Sequence, residues 1–176
     1  FCSAPPVGLL LFESVLSPTS PPWGDASGFM ALRYASVAYG LVTLLAVYAI
    51  GRQLGGCSAG LLALSLLALD GWAIAQDRRA MMEAPLNMFS ALAVLALVAA
   101  QRRSGVRLRG YALAGVLAAL AMLTKTQGMV IIGVLMLTLA LQRQWRPLLA
   151  LATAAAATWL VFSLPHLMTA GDDMLR

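Results

Sequence analysis

The sequence predicts an all-α, polytopic transmembrane helix bundle. Residues of hydrophobic type make up 61 % of the 176 positions and charged residues only 11 %. Mean hydropathy is +0.84, and several windows approach the roughly 20 residues needed to span a bilayer. Ala and Leu, both strong helix formers, dominate these windows. The windows are apolar all round, so they lack the polar face that a soluble bundle turns to water.

The elements follow in order. Residues 1–32 read as the end of an outer loop with a juxtamembrane helix. Their apolar run is broken by Pro5, Pro6 and Glu13 and lacks a basic flank, so it is not a cleavable signal peptide. A six-span bundle then occupies residues 33–164, with spans over Arg33–Ile50, Ala59–Ala75, Glu83–Ala100, Tyr111–Leu123, Met129–Leu141 and Leu148–Leu164. Gly, Pro, Arg and Gln collect in the connections, as turn chemistry requires. The fourth and fifth spans are short, and only Thr124–Lys125–Thr126–Gln127–Gly128 separates them, which predicts a tight helical hairpin. Residues 165–176 read as the start of a further outer loop. A chain that opens on Phe1 and stops in a polar stretch after Gly171 is expected to be part of a longer membrane protein.

Charge fixes the sidedness. The connections after spans one, three and five carry Arg52, then Arg102, Arg103, Arg107 and Arg109, then Arg143 and Arg146, with no acid among them. Every acid lies on the other side: Glu13, Asp25, Asp70, Asp77, Glu83, Asp172 and Asp173. Lys/Arg excess marks the cytoplasmic side, so the ends bearing the acids face out. This outer face also gathers Arg33, Arg78, Arg79, Lys125 and His166 from separate parts of the sequence. Chemistry belongs there.

Charged groups at membrane depth are costly unless they face water, each other or a ligand, which makes these residues the candidates. Arg78 and Glu83 are spaced to lie on different faces of a helix, so they are free to meet a ligand or another helix. Snorkelling arginines and a carboxylate at a helix N-terminus, with Pro85 in the first turn, account for the same residues without a ligand. Lys125 sits beside Thr124, Thr126 and Gly128; a cation with hydroxyls and amides around it suits a phosphate, and equally a lysine there can cap span four. Asp70, followed by Gly71 and Trp72, either lines a wet cavity or marks a break in span two. His166 is a ligand or base candidate at the outer end of span six. Trp23, Trp72 and Trp159 suit an interfacial belt.

Other functions are excluded by what is missing. The sequence holds no Gly-rich nucleotide loop, no His/Cys zinc set and no Gly-x-Ser-x-Gly elbow. The net charge of +5 sits in short loops between apolar spans and is not a nucleic-acid footprint. Cys2 and Cys57 fall on opposite sides of the membrane and should not pair. No residue set demands a metal.

Several runs resemble a known family. Asp70, Gln76–Asp77–Arg78 and Met82–Glu83–Ala84–Pro85–Leu86 resemble the Asp…Gln-Ser-Arg…Leu-Asp-Ala-x-Leu series of the dolichyl-phosphate-mannose protein mannosyltransferases. They are also similar to the Arg-x-x-x-x-Asp/Glu pattern of bacterial relatives that include the aminoarabinose transferases, all of the GT-C class. Pro5–Pro6, Leu32–Arg33–Tyr34–Ala35–Ser36, Leu123–Thr124–Lys125 with Gly128, and Leu164–Pro165–His166 resemble further family elements in the same order. Two departures stand out: Arg78 follows Asp77 where the family often has Ser, and Glu83 replaces the commoner Asp.

The resemblance implies a GT-C-like membrane glycosyltransferase, inverting at the sugar carbon and transferring a hexosyl or pentosyl group. Its donor would be a polyprenyl-phosphate-linked sugar and its acceptor a protein, lipid or glycan, at the outer face of a bacterial cytoplasmic membrane. Lys125, Arg78 and Arg33 would hold the donor phosphate, Glu83 would contact sugar or acceptor or orient Arg78, and Asp70 and His166 are further substrate-binding candidates. The family's principal catalytic acid is expected upstream of Phe1, so residues 1–176 alone are expected to be inactive. No cofactor is demanded, although a divalent cation is compatible with relatives. A polyprenyl-lipid transporter or flippase, or a non-catalytic membrane subunit, would use the same outer cations without bond chemistry.

Overall fold

The computed structural model describes residues 26–71, 74–75, 83–102 and 108–174, with side chains placed for those between 33 and 164. Among these residues the chain is helical and forms no strand. Helix α1 covers Ala26–Ala68, α2 Glu83–Arg102, α3 Leu108–Thr124, α4 Met129–Leu141 and α5 Trp145–Met174. A single 3-10 turn, Thr126–Gly128, joins α3 to α4.

Helix α1 is two arms folded at one residue. Gly56 has φ 84° and ψ −173°, a conformation open in practice only to glycine. Beyond it the chain reverses and the arms lie side by side. A Cβ on Gly60 would stand 2.8 Å from the Tyr48 carbonyl oxygen, and one on Gly51 would stand 2.9 Å from the Gly60 Cα. These arms are the first two predicted spans, but the loop expected over residues 51–58 shrinks to the Gly56 hinge because small residues let the backbones touch. The second arm also stops earlier than expected, at Ala68 rather than Ala75. The backbone restarts at Asp70, whose carbonyl accepts the Ile74 N–H at 3.1 Å.

The other helices pack in a row. Helix α1 lies on α2, α2 on α3, and α3 on α5, while α4 rests against α3 and α5. Helix α3 is the centre, with Ala114, Ala118, Ala119 and Ala121 buried. Ala114 and Ala118 meet Ala93 and Leu97 of α2, Leu135 and Leu139 of α4 and Leu151 of α5 in one apolar core. Outside that core many exposed residues are still apolar, including Leu45, Leu66, Val134, Leu137 and Val161. Such a surface is matched by hydrocarbon and not by water. Stretches Arg33–Ala68, Glu83–Arg102 and Trp145–Leu164 are long and apolar enough to cross a membrane. Helices α3 and α4 have 17 and 13 residues, or about 25 and 20 Å at 1.5 Å per residue, short of a full bilayer core of about 30 Å.

The helix ends sort into two groups. At one end, Gln101 Nε2 donates to Gln142 Oε1 at 2.9 Å, the Tyr111 hydroxyl donates to Gln144 Oε1 at 3.5 Å, and Arg102 Nη2 donates to the Leu54 carbonyl at 3.5 Å. These bonds tie together the Gly56 hinge, the α2–α3 connection and the α4–α5 turn, which are the Arg-bearing connections. Asp70, Glu83 and Lys125 lie at the opposite end.

Candidate functional site

A cavity of about 630 Å³ opens at that opposite end, between both arms of α1, the first turns of α2 and the α3–α4 turn. Its polar wall consists of Thr43, Asp70, Glu83, Asn87, Ser90, Lys125 and Gln127; Leu44, Val47, Leu67, Ile74 and Leu86 supply much of the apolar remainder. A cavity of this size, mostly apolar with a few convergent polar groups, is the usual form of a small-ligand site.

Each charged group is placed by local structure. Glu83 is the first residue of α2, where the positive end of the helix dipole favours a carboxylate, and Pro85 behind it suits a first turn, which has N–H groups to spare. Lys125 is extended, at φ −155° and ψ 139°, so it leaves the end of α3 and its side chain reaches across to α2. Gly128 lets the turn fold back onto α3, since a Cβ there would lie 2.4 Å from the Ala121 carbonyl carbon. As a result Lys125 Nζ donates to Glu83 Oε1 at 2.5 Å. The two side chains stay 35 % and 23 % exposed, so a ligand in the cavity can reach both.

The surroundings of Lys125 differ from the expected phosphate loop. Thr124 is fully buried, and its hydroxyl donates to its own helix, at the Ala121 carbonyl, at 2.7 Å. The Gly128 N–H donates to the Lys125 carbonyl at 2.8 Å. Neither proton is offered to a ligand: the Thr124 hydroxyl bonds back within α3, as helical threonines do, and the Gly128 N–H closes the turn. Lys125 is instead paired by a carboxylate and flanked by Gln127 on the cavity wall.

Of the residues singled out from the sequence, Asp70, Glu83 and Lys125 share this cavity. Arg33 is exposed on α1 and is not part of the wall. Arg78 lies outside the described residues, and His166 falls on α5 in a part whose side chains are not described. Thr43, Asn87, Ser90 and Gln127 were not anticipated. Glu83, Asn87 and Ser90 stand at i, i+4 and i+7, the spacing of one helix face, so the stripe was visible in an otherwise apolar segment. Among the described residues, no group of three or more His, Cys, Asp or Glu side chains could hold a metal ion.

A sequence profile described as dolichyl-phosphate-mannose-protein mannosyltransferase matches residues 17–169. No curated relative and no solved structure matches the chain. The matched stretch takes in α1 to α4, all of α5 but its last turn, and the whole cavity wall, and this integral membrane bundle therefore belongs to the dolichyl-phosphate-mannose-protein mannosyltransferase family.

Proposed function

We propose that the chain forms the membrane-embedded donor site of a glycosyltransferase that moves a sugar from a polyprenyl phosphate to an acceptor. Family membership supports the reaction class. The observation that carries the site is the Lys125–Glu83 pair on the wall of one cavity. In this reading the acceptor hydroxyl attacks the anomeric carbon with inversion. The bond from that carbon to the phosphate oxygen breaks, and the hydroxyl proton passes to a carboxylate base. Negative charge grows on the leaving phosphate, where a fixed cation is most effective. Lys125 supplies that cation, joined by Arg78 from the sequence just before α2; Arg33, which lies off the cavity wall, is not part of this grip. Glu83 contacts sugar or acceptor or orients Arg78, and Asp70 and His166 are further substrate contacts. In this reading the cavity opens at the outer face of a bacterial cytoplasmic membrane, which the arrangement of charge by loop supports.

The test is Lys125→Met in the full-length protein, with sugar transfer from a polyprenyl-phosphate donor normalised to folded protein. Losing one such contact should cost roughly 3 kcal/mol, on the order of a hundredfold in turnover. Unchanged turnover per folded molecule, with only lower thermal stability, would make Lys125 a structural cap.

A further inference from the structure

The polar face of α2 does not end at Glu83. Asn87 and Ser90 continue it one and two turns further along the helix, about 6 and 10 Å from Glu83 at 1.5 Å per residue. Both line the cavity, and Thr43 of α1 stands on the wall with them. Thr43 spends its hydroxyl proton on the Tyr39 carbonyl, at 2.9 Å. Among the described residues, the Asn87 amide and the Ser90 hydroxyl make no hydrogen bond. Uncharged polar side chains that line a cavity in an apolar segment, with no partner of their own, are suited to hydrogen-bonding a ligand that brings donors and acceptors. The charged wall groups, Asp70, Glu83 and Lys125, all lie at the helix-end side of this stripe.

We propose that the cavity is divided by charge: its mouth takes the anionic phosphate, and Asn87 with Ser90 binds an uncharged, hydroxyl-bearing group of the same ligand, its sugar. This rests on the donor-site reading above. An amide offers two donors and an acceptor and a hydroxyl offers one donor and two acceptors, a set that matches neighbouring hydroxyls on a sugar ring. Asn87 and Ser90 are thus specificity-determining residues, distinct from the Lys125 cation that grips the phosphate.

The experiment compares two probes on the full-length protein in detergent: bare polyprenyl phosphate and polyprenyl-phosphate mannose. The wild type should bind the sugar-bearing lipid more tightly than the bare one. Asn87→Leu and Ser90→Ala should each reduce affinity for the sugar-bearing lipid about three- to tenfold, as expected for loss of a hydrogen bond. Affinity for bare polyprenyl phosphate should not change, and Ser90→Thr should keep the preference for the sugar. Failure of the wild type to bind bare polyprenyl phosphate would overturn the donor-site reading itself. Binding of bare lipid with no loss of sugar preference in Asn87→Leu or Ser90→Ala would overturn only the assignment of the stripe. Equal weakening of both lipids, together with a lower melting temperature, would also overturn it, because the stripe would then be a packing surface.

Discussion

Lys125 Nζ sits 2.5 Å from Glu83 Oε1 although 42 positions separate the residues. The contact closes one end of the bundle, because it joins the start of α2 to the turn that follows α3. It also means that the cation of the proposed phosphate site already has a counter-ion. An incoming phosphate must share Lys125 with Glu83 or take it away.

That competition gives the first prediction. Glu83→Gln should raise affinity for bare polyprenyl phosphate severalfold, since the neutral amide no longer holds Lys125. Sugar transfer should fall in the same variant, because the carboxylate proposed to face sugar or acceptor is gone. Equilibrium binding and turnover measured on one preparation check both halves. Weaker phosphate binding in Glu83→Gln would show that the pair positions Lys125 instead of competing for it.

Packing gives the second. A Cβ on Gly115 would lie 2.3 Å from the Leu151 carbonyl oxygen, where α3 meets α5, whereas Gly133 on α4 has nothing within 4 Å. Gly115→Ala should therefore destabilise the bundle by about 1–3 kcal/mol through overpacking against rigid backbone. Gly133→Ala should be neutral or stabilise by up to about 1 kcal/mol through helix propensity. Thermal unfolding in detergent separates the two.

Much of the fold was legible because burial in lipid leaves few alternatives. The run Met129–Leu141 has no charge and no proline, and α4 has those bounds. The Gly56 hinge was not legible: Arg52, Gln53, Gly55 and Gly56 read as an open loop, and nothing local reveals that Gly51 and Gly60 meet. At the site, Asp70, Glu83 and Lys125 stood out because charge in an apolar chain needs a reason. Asn87 and Ser90 did not, since a single amide or hydroxyl in a span is inexpensive. Their shared helical spacing with Glu83 was the signal. That Thr124 is fully buried depends on how the turn packs, which residue types alone do not give.

Sidedness gives the third prediction. Gln127 lies on the cavity wall, and Gln142 lies at the other end, bonded to Gln101. In a background of Cys2→Ser and Cys57→Ser, single cysteines at these positions should label differently with an impermeant thiol reagent on intact cells. Gln127→Cys should react, and Gln142→Cys should react only after the membrane is opened. The reverse pattern would turn the cavity toward the cytoplasm.

The central claim is that this cavity holds the donor phosphate, and an experimental structure of the full-length protein with bound polyprenyl-phosphate sugar tests it most directly. The account predicts the phosphate within hydrogen-bond reach of Lys125 Nζ, with the sugar toward Asn87 and Ser90. A phosphate bound elsewhere, with Lys125 still paired to Glu83 and the cavity empty, would contradict it.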